Sequence, residues 1–154
     1  MKSFTLAVQN SKHSIHALDW AIKNVFTEGC EVHLVTVSTP AVQPALFFPA
    51  ASIPSTMGYI EEFEAKSKEE ATNVLTAFKK RIVEAFGDKV KIEMIMLAGN
   101  VGDEIVDYTE RQPTDALIIG SRGLGTLKRH VLGSVSNFVM HHAHCPVILI
   151  KEQQ

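Results

Sequence analysis

The chain has 154 residues, a formal net charge of −2 and two cysteines. This length predicts one domain over residues 1–154, and a charge this close to neutral without a long basic run argues against nucleic acid as a partner. Two distant cysteines make no disulfide framework and favour a reducing compartment, the cytoplasm. The chain start lacks a secretion signal, and no apolar run approaches the roughly 18 residues of a membrane span.

The first part of the chain alternates predicted strands with a predicted helix. Residues 4–8 and 31–37 are short runs rich in apolar and β-branched side chains, which is typical of buried strands. Between them, apolar residues recur at three- and four-residue steps, and this period predicts a helix. Ser11 or Ser14 can cap its start, and Gly29 marks its end.

Residues 38–58 are predicted to form a long loop. The stretch has no helical period and is too rich in proline for a central strand, with Pro40, Pro44, Pro49 and Pro54. A loop of this length in a compact domain is usually functional or mobile. The expected role is a surface insertion, and the aromatic pair Phe47-Phe48 keeps a lid over a ligand open as the alternative.

The remaining elements follow the same alternation of strands and helices. Helices are predicted over residues 59–86, after the capping residue Asn100 as far as Pro113, and over residues 135–142. Strands are predicted over residues 90–97, 116–119 and 146–151. Strands that alternate with helices predict right-handed β-α-β units, a parallel sheet and helices on both of its faces.

A glycine-rich stretch joins the fourth strand to the last helix. It contains the spacing G-x2-G-x9-G-[ST], which begins at Gly120 and ends at Ser134. Thr126 stands where a P-loop has its lysine, and Lys128 stands where a dinucleotide fingerprint has its third glycine, so both motifs are excluded. A strand that leads into such a loop and then into a helix N-terminus is a common way to hold an anion.

In its setting, I-I-G-S-R-G-L-G-x-L-K-R-x-x-L-G-S-V-S, this motif resembles the ATP-binding branch of the universal stress protein family. T-L-A-V-x-x-S, A-L-x-W-A, V-x-L-V-x-V and H-C-P-V extend the resemblance along nearly the whole chain. It implies a single-domain Rossmann-like α/β fold of the adenine nucleotide alpha hydrolase-like kind. That fold has a five-stranded parallel sheet of order 3-2-1-4-5.

The resemblance also implies a nucleotide site. With the implied strand order, the winding reverses between the first and fourth strands, and open α/β sheets bind ligands at that point. The expected ligand is ATP, with AMP or ADP as alternatives and Mg²⁺ as an optional ion. The adenine and ribose would contact Ala7, Val8, Gln9 and Val37. The ribose and phosphates would lie along Ile119, Gly120, Arg122 and Gly123. The phosphate tail would be held by Gly133, Ser134, Val135 and Ser136.

Gln9 departs from the family pattern, in which this position is usually aspartate. Glutamine keeps a hydrogen-bond acceptor but loses the negative charge. Hydrogen bonds to charged groups contribute about 1.5–3 kcal/mol and neutral ones about 1 kcal/mol. We therefore expect weaker affinity or altered selectivity.

No metal site and no catalytic residue are predicted. A group near the C-terminus resembles metal ligands, but its spacing fits no standard zinc site, and adjacent histidines on a helix point in different directions. This group is His141, His142, His144 and Cys145. Without a P-loop lysine or a carboxylate evidently placed to orient water, hydrolysis is expected to be slow or absent.

Three functions therefore remain open. The first is an ATP-binding regulatory protein of the stress response, which acts through nucleotide-dependent conformation and association. The second is a slow ATPase or another adenylate-handling hydrolase on the same fold. The third is a dimeric scaffold with a degenerate nucleotide site. Detecting an adenine nucleotide in the purified protein would separate the first two from the third.

The final strand predicts a homodimer. Residues 146–150 of this strand are apolar on both faces, with no charge until Lys151, and the implied strand order places the strand at the edge of the sheet. A two-fold axis would pair this strand with its own copy, which is also how the resemblance suggests that these proteins associate. The alternative is a monomer in which residues 38–58 or 152–154 cover the edge.

Overall fold

A computed structural model describes residues 1–39, 53–121 and 132–151, with the backbone alone for 53–57. The elements in chain order are β1 (Ser3–Ala7), α1 (Lys12–Asn24), β2 (Glu31–Ser38), α2 (Ile53–Phe86), β3 (Lys91–Ala98), α3 (Val101–Arg111), β4 (Ala116–Gly120), α4 (Ser134–His142) and β5 (Val147–Ile150). Within these ranges, no helix combines the length and the apolar composition needed to cross a membrane.

The strands form a five-stranded sheet of order β3-β2-β1-β4-β5, in which every neighbouring pair is parallel. This confirms the implied order. β1 lies at the centre, with Ala7 opposite Val35 on β2 and opposite Ile119 on β4. The chain winds outward in one direction from β1 to β3 and in the other direction from β4 to β5. The carboxyl ends of β1 and β4 therefore flank the crevice where such folds bind ligands.

Apolar side chains cover both faces of the sheet. On one face, Leu6, Leu34 and Ile118 pack with Leu18 of α1 and Ile82 of α2, and all five are fully buried. A smaller cluster on the other face joins β1 and β4 to α3 and α4; it contains Ala7, Ile105, Leu117, Ile119 and Val139. Burial on both faces explains why the central strands are nearly continuous apolar runs.

Side-chain caps fix the starts of two helices. Ser11 caps α1 by accepting a hydrogen bond from the backbone N–H of Ser14, so Ser11 rather than Ser14 is the cap. The Ser14 hydroxyl instead accepts a hydrogen bond from the backbone N–H of Gln9 at 3.1 Å. Asn100 caps α3, as predicted, by accepting hydrogen bonds from two N–H groups in its first turn. These hydrogen bonds connect the residues that follow β1 and β3 to the first turns of α1 and α3.

The predicted bounds of the long loop are wrong at both ends. Ser38 belongs to β2, and α2 begins at Ile53, whereas the sequence predicted its start at residue 59. Pro54 misled the prediction, because proline is tolerated in the first helical turn, where its missing N–H would have no intrahelical acceptor. Residues 40–52, with the Phe47-Phe48 pair and the choice between lid and surface insertion, lie outside the described residues.

Candidate functional site

A cavity of about 370 Å³ lies at the carboxyl ends of β1, β2 and β4, where the sheet topology places a ligand site. The starts of α3 and α4 complete its wall. All of the predicted site residues that the structure describes line this cavity: Ala7, Val8, Gln9, Val37, Ile119, Gly120, Gly133, Ser134, Val135 and Ser136. Arg122 and Gly123 lie outside the described residues.

Sequence reasoning missed six lining residues, namely His13, Ser14, Val35, Thr39, Val101 and Ile105. Two signals could have indicated some of them. Thr39 lies two residues after a predicted strand, and Val101 follows the predicted cap Asn100 at the exit of another strand. Because carboxyl ends of parallel strands meet at one edge of the sheet, residues at both exits belong to the same rim.

The N-terminus of α4 contributes polar backbone groups to the cavity. Its N-cap is Gly133, and no side chain caps the helix among the described residues. The first N–H groups of any helix have no intrahelical acceptor, and here they belong to the cavity-lining residues Ser134, Val135 and Ser136. Together with the positive end of the helix dipole, these donors suit a negatively charged group.

The two serines of this turn differ in exposure. Ser134 is exposed, whereas Ser136 is buried and its hydroxyl donates a hydrogen bond to the Gly120 carbonyl oxygen at 3.3 Å. That bond joins the start of α4 to the end of β4 across residues 122–131. Ser136 therefore holds the start of α4 against β4. The exposed Ser134 side chain lies at the lining of the cavity.

Gly120 has a packing role that the sequence did not predict. A Cβ atom at this position would lie 2.7 Å from the carbonyl oxygen of His13, well inside normal contact distance. The end of β4 therefore packs directly against the backbone of α1. The prediction attributed this glycine to close approach of a ligand; the contact with α1 requires it without any ligand.

Much of the remaining lining of the cavity is apolar. It includes valine and isoleucine side chains of β2, β4 and α3 and of the residue after β1, among them Val8, Val37, Ile105 and Ile119. None of the lining residues that the structure describes is Asp, Glu, Lys or Arg. The described part of the cavity thus offers a surface for a flat apolar ring and donors for an anion, but no carboxylate base.

Two of the C-terminal residues that resemble metal ligands, His142 and His144, have other partners. His144 Nε2 lies 2.6 Å from Glu110 Oε1, and His142 Nδ1 lies 2.8 Å from the Phe138 carbonyl oxygen. The His142 ring also stacks on Phe138. Among the described residues, the metal-ligating side chains that converge are on β2 and β3 instead.

Comparison with known proteins identifies the family. The sequence model of the universal stress protein family matches residues 1–151. The chain belongs to the universal stress protein family. Universal stress protein MJ0531 of Methanocaldococcus jannaschii is 32% identical over 151 residues, which cover 98% of this chain and 82% of that protein.

Solved structures of other members share the fold. That of MJ0577, also from Methanocaldococcus jannaschii, has a TM-score of 0.77 at 26% identity and covers 99% of this chain and 97% of its own. An Arabidopsis thaliana family member, crystallised with AMP bound, has a TM-score of 0.70 at 21% identity, with coverages of 99% and 93%. These likenesses confirm the Rossmann-like fold of this universal stress protein.

Proposed function

We propose that this universal stress protein binds an adenine nucleotide in the cavity and acts as a nucleotide-dependent regulatory protein. The observation that carries the proposal is the uncapped N-terminus of α4, which lines the same cavity as a set of valine and isoleucine side chains. An adenine ring suits these side chains, and phosphate oxygens suit the helix N–H groups. The Arabidopsis thaliana member with AMP bound supports the choice of an adenine nucleotide.

ATP is the proposed ligand, with AMP and ADP as the alternatives to be compared. Arg122 and Gly123 complete the proposed phosphate-binding set from the glycine-rich stretch. A guanidinium group suits phosphate oxygens, and glycine lets its backbone approach them closely. Mg²⁺ would be held mainly by those phosphates, because the described lining offers it no carboxylate.

The proposed action is binding rather than rapid hydrolysis. Phosphoryl transfer to water needs a group that positions the attacking water, and the described lining contains no Asp or Glu. Regulation requires only that the bound and free states differ in conformation or association. The slow ATPase stays the second candidate, and measured turnover decides between them.

Adding a negative charge beside the α4 N-terminus is expected to weaken ATP binding. In Ser134→Asp the new carboxylate competes for the same N–H groups and repels phosphate, so we expect the Kd to rise at least about tenfold. Aspartate near a helix N-terminus is compatible with the helix, so the fold should be retained. Isothermal titration calorimetry with ATP, ADP and AMP, each with and without Mg²⁺, measures the effect.

The matched control is Asn137→Asp. Asn137 is exposed on the same helix but does not line the cavity, so its replacement adds the same charge at a different place. We expect its Kd to stay within about threefold of the parent value. Equal ATP affinity in Ser134→Asp and the parent would place the nucleotide elsewhere.

Restoring the carboxylate at position 9 is expected to tighten binding. Gln9 is exposed at the cavity rim, and its backbone is held by the Ser14 hydroxyl. An ionised acceptor makes stronger hydrogen bonds than an amide, so Gln9→Asp should lower the nucleotide Kd by about three- to tenfold. Asn10→Asp is the control, because it adds the same charge one residue outside the lining. An unchanged Kd in Gln9→Asp would show that this side chain does not contact the nucleotide.

A further inference from the structure

A second cluster of chemically active side chains lies on β2 and β3, at the end of the sheet away from the cavity. Glu31 and His33 are two residues apart on β2, so they share one face of the sheet. The parallel register places Lys91 opposite Glu31 and Glu93 opposite His33. Four ionisable side chains therefore meet on one patch of the sheet.

Three of these side chains lie at distances suited to a shared ion. One nitrogen of His33 and one carboxylate oxygen each of Glu31 and Glu93 all lie within 4.8 Å of one another. Zinc ligands lie about 2.0–2.2 Å from the metal, so two ligands of one ion are at most about 4.4 Å apart. Small side-chain rotations would bring all three onto one ion.

His33 provides independent evidence for a ligand. Its side chain is only 7% exposed, and its Nε2 has no hydrogen-bond partner among the described residues. Nε2 lies 3.4 Å from Glu31 Oε1, which is an ion-pair distance without good hydrogen-bond geometry. A buried nitrogen that makes no well-formed hydrogen bond is costly, and its neighbour here is the carboxylate that would share the ion.

Tyr108 holds the other side of the imidazole. Its phenol oxygen lies 2.9 Å from His33 Nδ1, and burial raises the pKa of Tyr108 to about 12, so the phenol stays neutral. With Nε2 on a metal, Nδ1 carries the proton and donates it to the phenol oxygen. Metal-binding histidines commonly donate their second N–H to such a partner, which fixes the tautomer and the ring orientation.

Lys91 balances the two carboxylates when no metal is present. Its Nζ lies 2.5 Å from Glu31 Oε1 and 2.9 Å from Glu93 Oε1, and its side chain is 58% exposed. The ammonium beside Glu31 holds the pKa of that carboxyl below its usual value, so the group is ionised near neutral pH, as a metal ligand must be. The long stem lets the ammonium move into solvent when a cation arrives.

We propose that Glu31, His33 and Glu93 form a binding site for Zn²⁺, which exchanges with the ammonium of Lys91. One imidazole nitrogen and two carboxylate oxygens are ligands that zinc accepts, with water at the remaining position. Zinc sites that keep one coordination position free for water likewise have three protein ligands. The site shares no residue with the lining of the proposed nucleotide cavity.

Zn²⁺ titration of the nucleotide-free full chain by calorimetry tests the proposal. Glu93→Gln removes one ligand charge at an exposed position and should weaken Zn²⁺ binding at least about tenfold. Lys91→Met removes the competing ammonium at a mostly exposed position and should tighten it several-fold. This opposite response distinguishes a metal site from an ion-pair network, in which neither change would affect zinc.

His144→Asn is the matched control, because His144 and Glu110 form another histidine–carboxylate pair, on the surface. We expect the zinc affinity of this variant to equal that of the parent, and thermal melting confirms that all three variants are folded. The proposal is overturned if the parent binds no Zn²⁺ at micromolar concentrations. It is equally overturned if Glu93→Gln or Lys91→Met leaves the affinity unchanged, or if His144→Asn abolishes binding.

Discussion

Replacing Gly120 with alanine is expected to lower the free energy of unfolding by about 3 kcal/mol, the upper part of the usual range for overpacking. The added Cβ would lie 2.7 Å from the His13 carbonyl oxygen and 3.1 Å from the carbonyl carbon. Both are backbone atoms of α1, so no side-chain rotation relieves the clash. Either α1 or the end of β4 must shift, and both elements contribute buried side chains to the core.

Gly58→Ala provides a control with the opposite expected sign. Gly58 lies within α2, and a Cβ added there would meet nothing within 4 Å. Alanine is favoured over glycine in helices by about 0.5–1 kcal/mol, so this variant should be slightly more stable than the parent. Urea unfolding without nucleotide should therefore move the two midpoints in opposite directions. Equal stability of Gly120→Ala and the parent would contradict the close contact between β4 and α1.

The second large effect is expected at the edge strand β5, through which we propose a two-fold homodimer. The side chains of β5 do not need a second copy to be buried, because Val147 and Leu149 pack in the smaller core and Ile148 and Ile150 in the larger one. The argument for a dimer therefore rests on the backbone hydrogen-bonding groups of β5. Leu117 N–H donates to the Pro146 carbonyl, and Ser121 N–H to that of Ile150.

Backbone groups along a strand alternate in direction, so the even-numbered residues of β5 face β4 and the odd-numbered ones face outward. Residues 147 and 149 therefore direct their N–H and C=O groups away from β4, at the edge of the sheet that the structure describes. An antiparallel pair centred on residue 148 would satisfy these groups in both copies. Such pairing would form backbone hydrogen bonds between the β5 strands of the two copies without moving a core side chain.

Leu149→Pro is expected to convert the dimer to a monomer. Proline removes an outward N–H and is tolerated on an edge strand, whereas Leu149→Ala loses the same side chain and keeps the N–H. Light scattering should give twice the chain mass of 17.0 kDa for the parent and Leu149→Ala, and a single chain mass for Leu149→Pro. A parent that is monomeric at high micromolar concentration would contradict the proposal, as would a dimeric Leu149→Pro.

Local patterns predicted most of the fold. The strands are short β-rich runs and the helices carry periodic apolar residues, so both were evident, and the family resemblance supplied the strand order. The start of α2 was missed because Pro54 indicates a loop by composition, although it occupies a helical position that accepts proline.

The features that the sequence did not predict at the two sites depend on contacts between residues that are distant in the chain. Gly120 is required by the backbone of His13, more than a hundred residues earlier. Glu31 and His33 show an alternating pattern, but their proximity to Glu93 depends on the register between β2 and β3. No local propensity encodes that register, because it is set by packing across the whole sheet.

Helix α3 contacts both the cavity and the cluster on β2 and β3. Val101 and Ile105 at its start line the cavity, and Tyr108, one turn after Ile105, holds His33. A nucleotide that displaced α3 would also displace Tyr108 and, through it, the His33 imidazole. Coupling free energies between two binding equilibria are reciprocal. Such a displacement would change zinc affinity by the same factor by which zinc changes nucleotide affinity.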